Sequence, residues 1–218
     1  MWYVWSGLAL LAAYLFGSFP TGYLAGRLLK GIDIRDHGSK SIGATNVLRT
    51  LGKWPALAVL ILDALKGVAA VLLARWLYSL PAVISTTPAD LDASALIPWA
   101  MATGGLAAIL GHSKSVWLNF AGGKSVATGL GVLLALSWQV GLLTLAVFGV
   151  VLAITRIVSI SSITAAIAST IVALMLHAPL PMLLITIAGG LYVVVRHRAN
   201  IGRLLEGTEP RLGQRSES

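Results

Sequence analysis

Apolar residues run in long blocks broken by short polar ones. The blocks cover about 2–29, 54–78, 93–111, 125–155 and 157–195. The fourth contains 31 residues without a formal charge, a helix of ~46 Å at 1.5 Å per residue against a hydrocarbon core of ~30 Å. We therefore break it at Ser137-Trp138-Gln139, and the fifth at His177-Ala178-Pro179-Leu180-Pro181. Seven transmembrane helices result. The pieces 125–136 and 140–155 are short, so part of this hairpin is expected to be re-entrant or capped by loops.

Charge fixes the expected orientation. With the amino terminus outside, the loops 25–53 and 111–124, Arg156 and the tail 196–218 face the cytoplasm. They hold 14 of the 16 Lys and Arg residues. The outer loop 79–95 has Asp90 and Asp92 and no Lys or Arg. Reading 125–155 as one span would send the basic tail outside, against the positive-inside tendency. Trp2, Trp5, Trp76, Trp99 and Trp138 then lie near the outer interface, and Trp54 and Trp117 near the inner one.

Composition agrees: of 218 residues, 57% are hydrophobic and 11% charged, and mean hydropathy is +0.85. The class is all-α and polytopic, an integral membrane protein with a cytoplasmic carboxyl terminus, expected as one membrane-embedded domain over 1–218. The first apolar run lacks a clear cleavage site and is read as a retained span. Cysteine is absent, which excludes disulfides and thiolate metal sites. The net charge of +8 reflects the loop bias and attraction to anionic membrane lipid; nucleic acid is a poor partner.

The candidate chemistry gathers at one face of the membrane. Gly38-Ser39-Lys40-Ser41-Ile42-Gly43-Ala44-Thr45-Asn46 is rich in N–H and hydroxyl donors, with Arg49 adding charge. Gly122-Gly123-Lys124 precedes a helix expected to begin near Ser125, whose dipole favours an anion. Both segments suit phosphate groups, which need convergent donors with little bulk nearby. Asp63 and Lys66 share a face inside an apolar helix, as an ion pair holding helices together or with Lys66 turned to substrate. His197, Asn200 and Arg203 share a face where the last helix leaves the membrane, a substrate-contacting face or simply an interfacial basic helix. His112 and the serines Ser159, Ser161 and Ser162 lie at inner helix ends. Gly22 and Gly26 form a G-x-x-x-G read as packing. There is no His-x-x-x-x-Asp, no G-x-S-x-G elbow and no metal cluster in the sequence.

The ordered set Gly17–Tyr23 (GSFPTGY), Gly38–Arg49 (GSKSIGATNVLR), Asp63–Gly67 (DALKG), Gly111-His112, Phe120–Thr128 (FAGGKSVAT), Thr155–Ile163 (TRIVSISSI) and Arg196–Arg203 (RHRANIGR) resembles the PlsY family of bacterial acyl-phosphate:glycerol-3-phosphate acyltransferases. The resemblance implies seven helices with an external amino terminus in the bacterial inner (cytoplasmic) membrane. It implies transfer of a fatty acyl group from acyl-phosphate to the 1-hydroxyl of glycerol 3-phosphate. The products are lysophosphatidic acid and phosphate, the first step of phospholipid synthesis. No cofactor or metal is implied, and an acyl-phosphate-forming enzyme is the functional partner.

By the same resemblance, Ser39, Lys124, His197 and Asn200 are the expected catalytic residues. Gly38, Ser41, Gly43, Ala44, Thr45, Asn46, Arg49, Lys66, His112, Gly122, Gly123, Ser161, Ser162 and Arg203 are expected to bind substrate. Ser39 and its loop would hold the acyl-phosphate; Lys124, Arg49, Ser162, His197 and Asn200 would hold glycerol 3-phosphate. The acyl chain is expected in a groove between helices open to lipid. The base is either the substrate's own phosphate, with His197 and Asn200 orienting the hydroxyl, or His197 itself. The chain departs from the family's usual pattern at Lys40 and Ser41 (usually Gly and Asn), at Ser125 (usually Gly) and at Ser115 (usually Pro). The alternatives are a transporter of a phosphorylated metabolite and a non-catalytic scaffold.

Overall fold

The computed structural model describes residues 1–214. Arg215, counted above in the basic tail, lies outside the described residues. Eleven α-helices are present among them: α1 (Trp2–Ser18), α2 (Thr21–Lys30), α3 (Ala44–Leu51), α4 (Lys53–Tyr78), α5 (Pro81–Ile84), α6 (Ala93–Ser113), α7 (Val126–Leu136), α8 (Trp138–Thr155), α9 (Val158–Met175), α10 (Leu180–Arg196) and α11 (Arg198–Leu205). No strand occurs among the described residues, so the all-α expectation holds.

Five segments are long and apolar enough to cross a membrane: Trp2–Lys30, Lys53–Tyr78, Ala93–Leu118, Trp138–Thr155 and Val158–Met175. A sixth is counted if α10 and α11, which meet at a 57° bend, form one span. The eleven-residue α7 is shorter, about 16 Å. The break at Ser137 is present. Ser137 is extended between α7 and α8, and its Oγ accepts the Val140 N–H at 3.4 Å.

Two stretches differ from expectation. The first apolar block is interrupted between Ser18 and Thr21, because Pro20 has no N–H to continue the ladder. The Phe19 carbonyl accepts from the Thr21 N–H at 3.1 Å and from Lys66 Nζ at 3.0 Å, and the Thr21 hydroxyl donates to Asp63. Irregular backbone at membrane depth persists only where protein satisfies it. The polar stretch 31–53 is not a plain loop either. It holds a 3₁₀ turn, Ile34–Asp36, and then α3, whose buried Val47 joins Ile34, Ile42, Ala56, Val59 and Leu118 in a small core.

α1 packs on α4 and α6; α4 packs on α3, α6 and α7; α9 lies between α8 and α10. The α4–α7 crossing is close because Gly67 faces the Thr128 carbonyl and Gly131 the Ala64 carbonyl, and a Cβ on either glycine would overlap those oxygens. Small residues let backbones approach where dispersion must replace the hydrophobic drive. Gly22 likewise sits against the Ile42 carbonyl, so the G-x-x-x-G is used for packing. These crossings bring the start of α3, the loop before α7 and the junction of α10 with α11 to one cavity.

Candidate active site

The 38–46 loop is shaped from within by Asn46. Its Oδ1 accepts the Ser39 N–H at 2.8 Å, and its Nδ2 reaches the carbonyls of Ile34, His37 and Ser41 at 2.9, 3.0 and 2.8 Å. The amide is buried, and both its ends are committed to the loop. Gly38, with φ +55°, packs against that amide and does not line the cavity. Ser39, Ser41 and the first turn of α3 at Gly43, Ala44 and Thr45 do line it, with Arg49 one turn on. The Gly43 N–H bonds Ser41 Oγ at 3.3 Å and the Asn46 N–H the Gly43 carbonyl at 2.9 Å, while the N–H groups of Ala44 and Thr45 have no intrahelical acceptor and leave this end of α3 with donors at the cavity.

The opposite wall is the loop before α7. Gly123 donates its N–H to the His112 carbonyl at 3.1 Å, and its carbonyl accepts from Ser113 Oγ at 2.7 Å. Arg196 Nη2 reaches the Gly122 and Gly123 carbonyls at 3.3 and 3.1 Å. Gly122 and Gly123 lie flat on residues 112–113, where a Cβ would overlap the His112 carbonyl or ring. His112 thus forms the floor beneath Lys124, with its Nδ1 3.7 Å from Asp63.

Lys124 emerges from this support with its Nζ 2.6 Å from Asn200 Oδ1. Its pKa is lowered to about 8, first by burial and then by the neighbouring cations Arg203, Arg49 and Arg196, against an opposing pull from Glu209. His197 is buried beside it, and its Nδ1 lies 2.7 Å from the Val193 carbonyl. A carbonyl only accepts, so Nδ1 carries the proton and Nε2 of the neutral ring is the acceptor.

The cavity therefore collects Ser39, Ser41, Gly43, Ala44, Thr45, Asn46, Arg49, His112, Lys124, Ser162, His197 and Asn200. Ser162 directs its hydroxyl at the Val158 carbonyl, 2.8 Å away. The remaining expected residues do not line the cavity. Gly122 and Gly123 carry the loop, and Lys66 holds Asp63 at 2.9 Å and Phe19. Ser161 is fully buried on the Ile157 carbonyl, and Arg203 pairs with Glu209 at 2.7 Å.

Glu209 belongs to no motif in the sequence, yet it stands at the cavity. Its side chain is 5% exposed and accepts from Asn200 Nδ2 at 2.6 Å, Ser159 Oγ at 2.8 Å and Arg203 Nε at 2.7 Å. Burial alone would raise its pKa. The three hydrogen bonds outweigh burial, and the pKa lies below the ordinary glutamate value. In sequence it is one acid in a polar tail, and only the fold brings it back over α9.

The departures Ser115 and Ser125 are absorbed into packing. Ser115 Oγ bonds the Ser18 carbonyl at 2.6 Å, and Ser125 Oγ the Ile109 carbonyl at 2.7 Å. Ser125 and Lys40 both take the left-handed conformation, with φ 62° and 53°, that glycine adopts without strain.

A cationic, donor-rich mouth thus opens onto an apolar cavity between membrane helices. The glycerol-3-phosphate acyltransferase family model matches residues 7–207. The chain is 61% identical over 216 residues to glycerol-3-phosphate acyltransferase 2 of Rhizobium johnstonii, covering 98% of this chain and 99% of that one. It is 57% identical over 215 residues to the glycerol-3-phosphate acyltransferase of Acaryochloris marina, covering 99% and 96%. The crystal structure of PlsY, an integral membrane glycerol 3-phosphate acyltransferase, in its glycerol 3-phosphate form superposes with a TM-score of 0.82 at 38% identity, covering 95% of this chain and 96% of that one. Its lysophosphatidic acid form gives 0.80 at 37% identity, with 95% of each chain covered. The chain belongs to the glycerol-3-phosphate acyltransferase family, and it is a multi-pass membrane protein.

Proposed function

We propose that the protein transfers a fatty acyl group from acyl-phosphate to the 1-hydroxyl of glycerol 3-phosphate, releasing lysophosphatidic acid and inorganic phosphate. The observation that carries this reading is the Lys124–Asn200 pair beside His197, facing the Ser39 loop across one cavity. Two anion-binding walls meet there, as a reaction between two phosphorylated substrates needs. The relatives' shared name supports the acceptor. The polar mouth on an apolar cavity supports a donor carrying both a phosphate and a lipid tail.

In this reading Ser39, Ser41 and the α3 N-terminus hold the acyl-phosphate headgroup. Lys124 and Arg49 hold the phosphate of glycerol 3-phosphate, and His197 Nε2 with Asn200 orients its hydroxyl. The hydroxyl oxygen bonds to the acyl carbon and the carbon–oxygen bond to phosphate breaks. The hydroxyl proton leaves on the released phosphate. Because phosphate is a good leaving group, positioning and charge stabilisation supply most of the acceleration.

The chain forms one domain of seven crossings, the seventh supplied by short α7, with the amino terminus outside and the carboxyl terminus in the cytoplasm. The lysine and arginine distribution supports that orientation, and it puts the site at the cytoplasmic face of the bacterial inner membrane. A separate enzyme supplies the acyl-phosphate there. A carrier would want polar groups through the bilayer depth, and its relatives would not be acyltransferases.

The deciding experiment incubates purified protein with palmitoyl-phosphate and labelled glycerol 3-phosphate, against a palmitoyl-CoA control. Lysophosphatidic acid from acyl-phosphate alone supports the reading. No product from either donor in a folded sample overturns it.

A further inference from the structure

The cavity does not end at the residues that would hold the headgroups. It continues between α7, α8, α9 and α10 with an apolar lining that includes Leu133, Phe148, Ala165 and Ile185. Its depth is the same on three helices. On α8 the deepest lining residue is Thr144, eleven residues from the helix end at Thr155. On α9 it is Ser169, eleven residues from the start at Val158. On α10 Thr186, with Ile185 just beyond, lies eleven residues from His197. Eleven residues of helix rise about 16 Å.

That distance is close to half of a hydrocarbon core of ~30 Å, the thickness one leaflet's tails fill. Beyond it a packed layer separates this cavity from a second one at the far end of the bundle, lined by Leu136, Ser137, Val140, His177 and Met182. Val140, Ala173 and Met182 pack there at 1%, 0% and 4% exposure. The closing ring carries three hydroxyls, and the buried Thr144 Oγ1 has no partner among the described residues. A methylene pushed past the ring meets a packed cluster and polar oxygens.

We propose that this cavity gauges the length of the donated acyl chain, with the Thr144–Ser169–Thr186 ring as its stop. The inference rests on the acyl transfer proposed above and names the residues that set its chain preference. Gly189 is the natural lever. It lines the cavity about 12 Å from His197 along the helix. A Cβ there would meet only Ile109 Cδ1, at 3.5 Å, so a larger side chain projects into free space without colliding with backbone.

The test is a competition assay with lauroyl-, palmitoyl- and arachidoyl-phosphate on the full-length protein and its Gly189→Val and Gly189→Ala variants. The wild type is expected to use palmitoyl-phosphate well and to discriminate against the arachidoyl chain. Gly189→Val should lower the palmitoyl-to-lauroyl rate ratio at least about tenfold, since one carbon too many in a tight apolar pocket commonly has that effect. The KM for glycerol 3-phosphate should stay unchanged. Gly189→Ala should move the ratio the same way by less, and it keeps the test open if the valine variant does not fold. An unchanged ratio in a folded variant with normal glycerol 3-phosphate KM overturns the gauge and moves the chain to the lipid-facing surface. A wild type inactive with all three donors instead overturns the function proposed above.

Discussion

Lys124 and Asn200, 76 residues apart in the chain, meet through a 2.6 Å bond from the ammonium to the amide oxygen. The other end of that amide donates to Glu209 at 2.6 Å. Lysine, asparagine and glutamate therefore form one line along the cavity wall, and the lysine's position depends on both partners. Lys124→Ala removes the charge and leaves the Asn200 oxygen unpaired. We expect kcat/KM for glycerol 3-phosphate to fall at least ~30-fold, about 2 kcal/mol of transition-state stabilisation. Lysophosphatidic acid formation at normal expression measures it, and near wild-type rates would remove Lys124 from the site.

The lowered pKa of Lys124 gives this residue a pH signature. The ammonium is charged below about 8 and loses its charge as pH rises through that value. The second ionisation of a phosphate monoester, near ~6, is already complete there, so the substrate's charge is constant. kcat/KM for glycerol 3-phosphate should therefore hold from pH 7 to about 8 and fall roughly tenfold per unit above it. Lys124→Arg keeps its charge throughout. It should lower the plateau through altered geometry and abolish the alkaline fall. A fall that persists unchanged in Lys124→Arg would assign it to another group.

Much of this was legible in the sequence, for identifiable reasons. A bilayer demands apolar runs of fixed length, so the long apolar helices and the break at Ser137 follow from counting, while the count of seven goes beyond the five or six described segments long and apolar enough to cross. Glycine and hydroxyl clusters at one membrane face point to an anion site, and most of those residues do line one cavity. What spacing cannot give is the direction a polar group faces. Asn46 reads like a ligand contact, yet both ends of its amide build the loop. The break at Phe19-Pro20 lies inside an unbroken apolar run and depends on Lys66 from another helix. Glu209 reaches Ser159 across 50 residues, a contact no local pattern encodes.

Glu209 holds three donors at once, so its replacement tests support, not substrate contact. Glu209→Gln keeps an oxygen for Asn200 and Ser159 but turns an amide toward Arg203. We expect a stability loss of about 1–3 kcal/mol at neutral pH, the cost of hydrogen bonds made to a charged group. The sign with pH follows from its depressed pKa. The stabilisation is complete above the unfolded-state value and is lost as pH falls through the folded one. Thermal unfolding of wild type and Glu209→Gln in detergent should thus converge in acid. A gap that stays constant with pH would mean the carboxylate charge contributes nothing.

Ser125 combines an unfavourable conformation with a buried hydrogen bond. Ser125→Ala keeps the left-handed strain and removes the bond to the Ile109 carbonyl, so it should destabilise by about 1–2 kcal/mol. Ser125→Gly loses the same bond but relieves strain of about 1–2 kcal/mol, so it should stay close to wild type. Thermal unfolding of the two variants side by side measures the difference. Equal destabilisation by both would show that the strain is not relieved by glycine.

Asp63 sits 1% exposed between Lys66, Thr21 and His112, where it fastens the broken first span to α4 and α6. Removing one member of a buried ion pair leaves the other charge uncompensated, which typically costs about 3–5 kcal/mol. Asp63→Asn should therefore lower the yield of folded, membrane-inserted protein much more than the turnover of each folded molecule. The double variant Asp63→Asn with Lys66→Met removes the stranded ammonium and should recover part of the yield. It does not recover all of it, because replacing Lys66 takes its bond from the Phe19 carbonyl and leaves that oxygen only the Thr21 N–H. Folded yield by detergent gel filtration, together with acyl transfer per folded molecule, separates the two effects. A correctly inserted Asp63→Asn protein that does not turn over would make Asp63 part of the chemistry instead of its scaffold.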